Sequence, residues 1–123
     1  MKITFLFLGL GALIFSSCAT SSKKTIFNIS KEEVLVKICV NTSKSELENI
    51  QSSLKEVKNI DFDFSKTTFS SDNKIDQLDF VVKGPEGYTG HINAELYMTD
   101  EYHGFRRDYR KNASKPFQCG AME

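Results

Sequence analysis

The sequence has few of the residues that build catalytic and metal centres. Two histidines, His91 and His103, and three cysteines occur among its 123 residues. A zinc site would need both histidines to converge with a carboxylate, and we expect them instead to be isolated surface residues. A nucleophile-elbow glycine pattern, a His-Glu-x-x-His motif and an EF-hand spacing are also absent from the sequence. We therefore expect no bound metal or other cofactor and no enzymatic activity.

The chain has no excess of charge of either sign. Its 16 lysines and arginines balance 16 aspartates and glutamates. Nucleic-acid-binding domains usually carry a clearly basic surface. The balance of charge therefore gives no general reason to expect nucleic acid as a partner.

No apolar run is long enough to be a comfortable transmembrane helix, which needs about 20 residues. The longest apolar stretch, Ile3 to Phe15, has thirteen residues, follows Lys2 and precedes the small residues Ser16 and Ser17. A charged start, a short apolar core and a small-residue zone are typical of a cleaved secretory signal. We therefore predict that residues 1–17 are a signal peptide.

Cys18 follows this zone directly. The run Ile14-Phe15-Ser16-Ser17-Cys18 resembles the lipobox of bacterial lipoproteins, although leucine is commonest where Phe15 stands. The resemblance implies cleavage before Cys18, a diacylglycerol on its thiol and acylation of its amine, and more than one acyl chain anchors a protein stably. It places the chain on the cell membrane or the outer membrane, with its domain in the periplasm or at the cell surface. The alternative is an ordinary cleaved signal followed by a chance cysteine.

The segment after Cys18 has the composition of a linker. Residues 19–30 are rich in serine, threonine and lysine, which predicts that residues 18–30 are the lipidated cysteine and a flexible tether. About ninety residues then remain, enough for one small domain with a single core.

Two further cysteines, Cys39 and Cys119, remain if Cys18 carries lipid. Outside the cytoplasm such a pair can form a disulfide, which would tie the tail to the first strand and stabilise the fold by about 2–5 kcal/mol. The alternative is two unpaired thiols, with Cys39 buried in a strand and Cys119 in a loose tail.

Hydrophobic periodicity predicts four strands and one helix in a domain over residues 31–99. Residues 34–40 alternate as a strand, and Ser43 and Glu46 fit a capping box that opens a helix over residues 44–58. Three more strands are predicted at 60–69, 75–83 and 88–98. This β-α-β-β-β order predicts an α+β two-layer sandwich, with one helix packed on a four-stranded, mostly antiparallel sheet.

An aromatic and basic tail follows the predicted domain, over residues 100–123. Three of its aromatic residues fall at helical spacing, although Gly104 weakens a helix there. Aromatic residues and arginine are enriched at interfaces, and a cationic cluster attracts anionic headgroups, cell-wall carboxylates or an acidic protein. The alternative is a solvated, poorly ordered tail. The candidate partner-binding residues are Tyr102, Phe105, Arg106, Arg107, Tyr109 and Arg110, with Lys111 and Lys115 adding to the cluster.

The stretch from Val34 to about Leu96 has a second resemblance, carried by the residues VLVKICVNTSKSELENIQSSLKEVKNIDFDFSKTTFSSDNKIDQLDFVVK, 34–83. It is similar to a small domain of Bacteroidota-type proteins, found in periplasmic regions of membrane metallopeptidases related to the β-lactam sensor–antirepressors and in small secreted proteins. The resemblance implies an envelope setting and the β-α-β-β-β order. It carries no catalytic residue to this chain.

These observations favour a lipid-anchored, non-catalytic interaction module of the cell envelope. Its expected partners are the membrane, through Cys18, and an envelope protein or cell-wall component. The first alternative is a small-ligand or sensory accessory domain, whose ligand would sit between the helix and the sheet edge. An envelope hydrolase is the third hypothesis.

Overall fold

The structure, a computed structural model, describes residues 23–123. The predicted signal peptide and Cys18 therefore lie outside the described residues. In chain order the elements are β1 (Ile26–Ile29), β2 (Glu33–Ile38), α1 (Lys44–Lys58), β3 (Asp61–Asp63), β4 (Thr68–Phe69), β5 (Ile75–Lys83), β6 (Thr89–Glu95), β7 (Tyr102–Asp108) and β8 (Phe117–Met122). Within residues 23–123, no helix is both long enough and apolar enough to span a membrane.

Helix α1 begins and ends where local chemistry predicts. The Ser43 hydroxyl accepts from the backbone N–H of Glu46, and the Glu46 carboxylate accepts from the backbone N–H of Ser43, which completes the capping box. Asn59 ends the helix in the left-handed conformation, with φ of 55°. The predicted apolar stripe is confirmed at its three buried positions, Leu47, Ile50 and Leu54, whereas Val57 is 58% exposed.

The strands form two sheets, and every observed pair is antiparallel. The first sheet has the order β1-β2-β7-β8. In the second, β5 pairs with β6 along one side and with both β3 and β4 along the other. The α+β class, the single described helix and a four-stranded antiparallel sheet are therefore confirmed.

The predicted single sheet in β-α-β-β-β order is wrong. Strand β2 does not join the strands that follow the helix; it lies between β1 and β7, in the other sheet. Its inward side chains, Val34, Val36 and Ile38, are fully buried. The predicted strand over residues 60–69 is also interrupted, because the chain turns between Phe64 and Thr67 before β4 begins.

The carboxyl-terminal part of the segment predicted to be a flexible tether is a strand of the first sheet. Residues Ile26–Ile29 form β1 and pair with Val34 to Lys37 of β2. Just before β1, the Thr25 and Thr42 hydroxyls are hydrogen-bonded at 2.6 Å, and the Asn41 side chain donates to the Lys23 carbonyl oxygen at 3.0 Å. The folded domain therefore includes residues 23–30 and does not begin at residue 31.

The segment read as a tail supplies two strands, so the helical spacing of Tyr102, Phe105 and Tyr109 was misleading. Strand β7 pairs with β2 on one side and β8 on the other. A Cβ atom on Gly104 would lie 2.8 Å from the Val36 carbonyl carbon, so this glycine allows the close approach of the two backbones. The domain thus extends to Met122 rather than ending at residue 99.

The two sheets share one core with the helix. A line of aromatic rings crosses it from one sheet to the other, with centroid separations of 4.9 Å for Phe62–Phe80, 6.3 Å for Phe80–Phe105 and 6.2 Å for Phe105–Phe117. The buried helix residues belong to the same cluster as the inward side chains of β2. The core therefore depends on residues from both terminal segments.

The strands and the helix run between two ends of the domain. We call the end at which the described chain begins, at Lys23, the proximal end. It holds the start of α1, the residues after β2 and the connection at 96–101. At this end the backbone N–H of Ile75 donates to the Val40 carbonyl oxygen. We call the opposite end the distal end. It holds the turns at 30–32 and 84–88 and the loop at 109–116. At this end the backbone N–H of Tyr109 donates to the Glu32 carbonyl oxygen. Strand β7 has seven residues, which separate the two ends by roughly 20 Å at about 3.3 Å per residue.

Candidate functional site

The six residues predicted to bind a partner do not form one surface. Phe105 is fully buried in the core, so its predicted role at an interface is wrong. Tyr102 lies at the proximal end, where its hydroxyl donates to the Lys24 carbonyl oxygen at 2.6 Å. The other four lie at or near the distal end. Arg106 lies on the outer face of the first sheet and Arg107 on its inner face. Tyr109 and Arg110 lie in the loop that follows β7.

Asp108 organises the arginines at the distal end. Its side chain is almost fully buried and accepts from Arg110 Nε at 2.9 Å and Nη2 at 2.6 Å, and from the Arg110 backbone N–H at 3.1 Å. The Arg106 Nη2 atom lies 3.7 Å from Asp108 Oδ2, and Arg106 also pairs with Glu33. The hydrogen bonds from the Arg110 side chain and backbone hold the pKa of the Asp108 carboxyl well below its ordinary value.

A basic depression lies beside this carboxylate. It has a volume of about 420 Å³. Four of its lining side chains are cationic and one is a carboxylate, which gives the lining a net charge of +3. Its residues, which we call the basic depression, are Arg106, Asp108, Arg110, Lys111, Asn112, Ala113, Ser114, Lys115 and Gln118.

The cations of the basic depression differ in how they are held. Arg110 is hydrogen-bonded to Asp108, whereas Arg106 is held by its ion pair with Glu33 and lies 3.7 Å from Asp108. Within residues 23–123, Lys111 and Lys115 form no ion pair and are exposed. Asn112, Ser114 and Gln118 add neutral hydrogen-bonding groups. The arrangement suits an anionic group such as a carboxylate or phosphate, with two fixed guanidinium groups and two free ammonium groups around it.

Arg107 has a different role from its neighbour Arg106. Its guanidinium carbon lies 4.7 Å from the centre of the Tyr88 ring and 4.4 Å from that of Tyr109. Arg107 Nη1 also donates to the carbonyl oxygens of Asp108, at 2.7 Å, and Pro116, at 3.1 Å. At 13% side-chain exposure, Arg107 holds the loop at 109–116 against the turn at 84–88 rather than presenting charge to a partner.

The Tyr109 ring, which contacts Arg107, also contacts the end of helix α1. The Lys58 ammonium at the end of α1 lies 4.4 Å from the centre of the Tyr109 ring. Burial, with Glu86 nearby, raises the pKa of the Tyr109 hydroxyl above its ordinary value. The contribution of Tyr88 has no signal in the sequence, because nothing local relates Tyr88 to Arg107, nineteen residues later in the chain.

A shallow trough adjoins the basic depression along the outer face of the first sheet. It has a volume of about 480 Å³ and shares Arg106 and Gln118 with the depression. Leu35 and Lys37 of β2 line its other side. The register explains the arrangement, since Leu35, Arg106 and Gln118 are aligned across β2, β7 and β8. The trough extends the polar surface from the distal end toward the proximal end.

Cys39 and Cys119 are free thiols in the structure. Cys119 is aligned with Phe105 and, beyond it, with Val36, three residues before Cys39. Two strand spacings of about 4.8 Å separate β8 from β2, which already exceeds the Cα separation of about 7 Å that a disulfide tolerates. Burial raises the pKa of the Cys119 thiol to about 11. Of the two alternatives, the structure has the unpaired thiols and not the disulfide, and Cys119 lies in a strand rather than in a loose tail.

The few groups suited to acid–base chemistry lie apart from one another. His91 of β6 lies 3.0 Å from Asp79 of β5 on the exposed side of the second sheet. His103 lies in β7, in the other sheet. Among residues 23–123, no group of three or more histidine, cysteine, aspartate or glutamate side chains is placed to hold a metal ion.

An open groove lies between the helix and the edge strand β1. It has a volume of about 300 Å³, and Phe27 and Ile50 form its apolar floor. Its polar lining residues are Thr25, Ser45, Glu46 and Asn49. The groove lies where a small-ligand domain would be expected to hold its ligand, between the helix and the sheet edge.

Comparisons with known proteins found no relative. No protein-family model matches the chain, and neither a curated protein nor a solved structure is significantly similar to it. The two resemblances drawn from the sequence, to the lipobox and to the periplasmic domains of metallopeptidases, therefore stay predictions.

Proposed function

We propose that this chain is a lipid-anchored, non-catalytic protein of the cell envelope whose basic depression binds acidic groups of a cell-wall polymer. The observation that carries the proposal is the basic depression. There Arg110, held by Asp108, and Arg106, held by Glu33, lie beside two lysines that form no ion pair among the described residues. The lipid anchor on Cys18 is the second part of the proposal and rests on the lipobox resemblance.

The position of the basic depression favours a partner other than the membrane that anchors the chain. The depression lies at the distal end, roughly 20 Å along β7 from the end where the chain enters. A tether from Cys18 to Lys23 has five Cα–Cα steps and reaches at most about 17 Å. An anchored domain therefore holds its basic depression away from its own lipid headgroups, toward the acidic polymer that lies beyond them.

Mass spectrometry of the mature protein tests the anchor. The expected mass corresponds to a chain that begins at Cys18 and carries a diacylglycerol and an amide-linked acyl group. A Cys18→Ala variant should lack the lipid and should no longer sediment with membranes. A mature wild-type chain without lipid would refute this part of the proposal.

Co-sedimentation with purified peptidoglycan tests the basic depression. The double variant Lys111→Glu/Lys115→Glu should lose most of its binding, because it replaces two unpaired cations with carboxylates. A matched control, Lys44→Glu/Lys66→Glu, makes the same change of charge at two exposed lysines outside the basic depression. Equal binding by the two double variants would contradict the proposal. It would also be contradicted if a protein that contaminates the peptidoglycan preparation accounted for all of the binding.

A small-ligand function is the second candidate, favoured by the groove between β1 and α1. The groove is open, and the three buried polar atoms without hydrogen-bond partners in the described residues lie elsewhere, on His103, Arg107 and Tyr109. Native mass spectrometry of the protein purified under mild conditions should show a retained ligand if this function is correct. A mass equal to that of the lipidated chain alone would count against it.

A further inference from the structure

We propose that the turn Leu96–Thr99 lies in the interface of the anchoring bilayer and inserts Tyr97 and Met98 there, which fixes the domain with its proximal end on the membrane. The inference rests on the lipid anchor proposed above and adds a second contact between protein and lipid. It concerns a surface at the opposite end of the domain from the basic depression.

The first observation is the conformation of Met98. Three residues other than glycine have positive φ in the described chain, and two of them are asparagines, which tolerate this region well. The third is Met98, with φ of 65°. A long side chain in the left-handed region is unfavourable, and such outliers concentrate where function requires the residue. Glycine or asparagine would form this turn with less strain but would remove its apolar side chain.

The second observation is that the base of the turn is hydrogen-bonded and buried while its two central side chains are exposed. The Thr99 backbone N–H donates to the Leu96 carbonyl oxygen at 2.9 Å, and the Leu96 N–H donates to the Asp76 carbonyl oxygen at 2.9 Å. Leu96 is fully buried and fixes the base of the turn in the core. Met98 is 85% exposed and Tyr97 is 47% exposed, the first and third most exposed of the large hydrophobic residues found outside the core.

The third observation is where the turn lies relative to the point of chain entry. Strand β7 begins three residues after the turn, at Tyr102, whose hydroxyl donates to the Lys24 carbonyl oxygen. The Lys23 ammonium lies 4.5 Å from the centre of the Tyr102 ring. The turn and the entering chain are therefore at the same end of the domain, and a lipid on Cys18 would lie within about 17 Å of Lys23.

Tyrosine and methionine suit this position chemically. Tyrosine is enriched at membrane interfaces, because its ring enters the apolar boundary while its hydroxyl stays hydrated. The unbranched thioether side chain of methionine adapts to an irregular apolar environment. The segment 96–102 carries Asp100 and Glu101 and no cation, whereas Lys23 and Lys24 lie on the entering chain. Since the charges of the two segments cancel, the contact is apolar and should not depend on salt.

Tryptophan fluorescence offers a clean test, since the chain contains no tryptophan. Lipidated Met98→Trp and Ser114→Trp proteins are reconstituted into phosphatidylcholine vesicles with and without brominated acyl chains, which quench an indole that enters the bilayer. Ser114 is exposed at the distal end and serves as the matched control. Tyr97→Trp provides a second reporter in the turn and replaces Met98→Trp if that variant does not fold.

We expect brominated lipid to quench the turn reporter at least twofold more than the Ser114→Trp reporter, and equally at low and high salt. Equal quenching of the two reporters in protein that floats with the vesicles would overturn this inference and leave the anchor intact. Protein that carries no lipid on Cys18 and does not float would overturn the anchor and this inference together. Quenching that disappears at high salt would also overturn it, because it would indicate electrostatic attraction.

Discussion

Gly104 of β7 lies so close to the backbone of Val36 in β2 that no other residue fits there. An added Cβ atom would lie 2.8 Å from the Val36 carbonyl carbon, a separation that real Cβ atoms essentially never show, and 3.2 Å from the Lys37 Cα atom, which is tighter than most real contacts. The atoms in the way belong to the backbone of a central strand whose inward side chains are fully buried, so they cannot move as a flexible side chain would. The pairing of these two strands brings the carboxyl-terminal segment into the core.

We predict that Gly104→Ala destabilises the domain strongly. Forcing extra atoms into a packed region typically costs about 1–3 kcal/mol, and we expect the upper end because the clash is with backbone. Gly84→Ala is the matched control, since its new Cβ would meet the end of the flexible Glu86 side chain at 3.2 Å and the Tyr88 carbonyl oxygen at an ordinary contact distance of 3.9 Å. Urea unfolding followed by circular dichroism gives the free energy of unfolding of both variants. Similar stability for the two variants would show that β7 does not pair with β2 in this register.

Removal of residues 100–123 should prevent folding. The truncated chain would lose β7 and β8, and with them Phe105, which contacts Phe62 and Phe80 in the core. It would also leave β2 as an exposed, apolar edge that promotes aggregation. We expect an insoluble or unfolded product by circular dichroism and gel filtration. A chain that lacks only Glu123 should fold, and a folded chain ending at Thr99 would contradict the topology described above.

Arg107→Lys should destabilise the domain even though it keeps the charge. Lysine cannot lie flat between the Tyr88 and Tyr109 rings or reproduce the two hydrogen bonds from one guanidinium nitrogen. We expect a loss of about 1–2 kcal/mol, the scale of a desolvated cation–π contact. The control is Lys111→Arg, in the exposed part of the same loop. Thermal melting compares the stability of the two variants. An Arg107→Lys variant as stable as wild type would refute a stabilising contact between Arg107 and the two tyrosine rings.

The contribution of Asp108 to stability should depend on pH. Its pKa is depressed in the folded state relative to the ordinary value of 3.8, so the ionised carboxylate stabilises the fold above about pH 4. This stabilisation is lost as the pH falls through the lower, folded-state pKa. Asp108→Asn should therefore be least stable relative to wild type near neutral pH, and the difference should shrink below about pH 4. Urea unfolding at several pH values measures it, with Glu48→Gln on the exposed helix surface as the control for removing a charge.

The thiols of Cys39 and Cys119 should be unreactive in the native protein. Cys39 is 1% exposed, and burial raises the pKa of Cys119 to about 11, which leaves little thiolate at neutral pH. We expect neither cysteine to react with iodoacetamide at pH 8 until denaturant is added, and both to react then. Intact mass spectrometry after labelling gives the count. A pair that stays unlabelled in denaturant until it is reduced would show that a disulfide had formed.

Local signals in the sequence were sufficient for the helix and for the strand Ile75–Lys83. The capping box at Ser43 and Glu46, the three buried leucine and isoleucine positions and the strand Ile75–Lys83 are found as predicted. Each of them depends on interactions between residues close together in the chain. The α+β class follows from the same local patterns.

The candidate site was only partly predictable. The cluster of arginines was evident, but its division into an anion-binding part and a structural part was not, because neighbouring residues in a strand point to opposite faces. Arg106 faces the basic depression, and Arg107 is held between Tyr88 and Tyr109. Only the pairing of β7 with its neighbours decides which arginine faces which side.

The sequence by itself determined the helix, the strand periodicities, the balanced charge and the lipobox-like start that underlies the proposed anchor. The tertiary structure alone decided that both terminal segments are strands, because their pairing joins residues such as Val36 and Phe105 that are far apart in the chain. Pairing of this kind has no local signature: a short polar segment that is stable only beside a buried strand has the same composition as a linker or a tail. For the same reason, only the structure placed Met98 at the end of the domain where the described chain enters, and the basic depression at the opposite end.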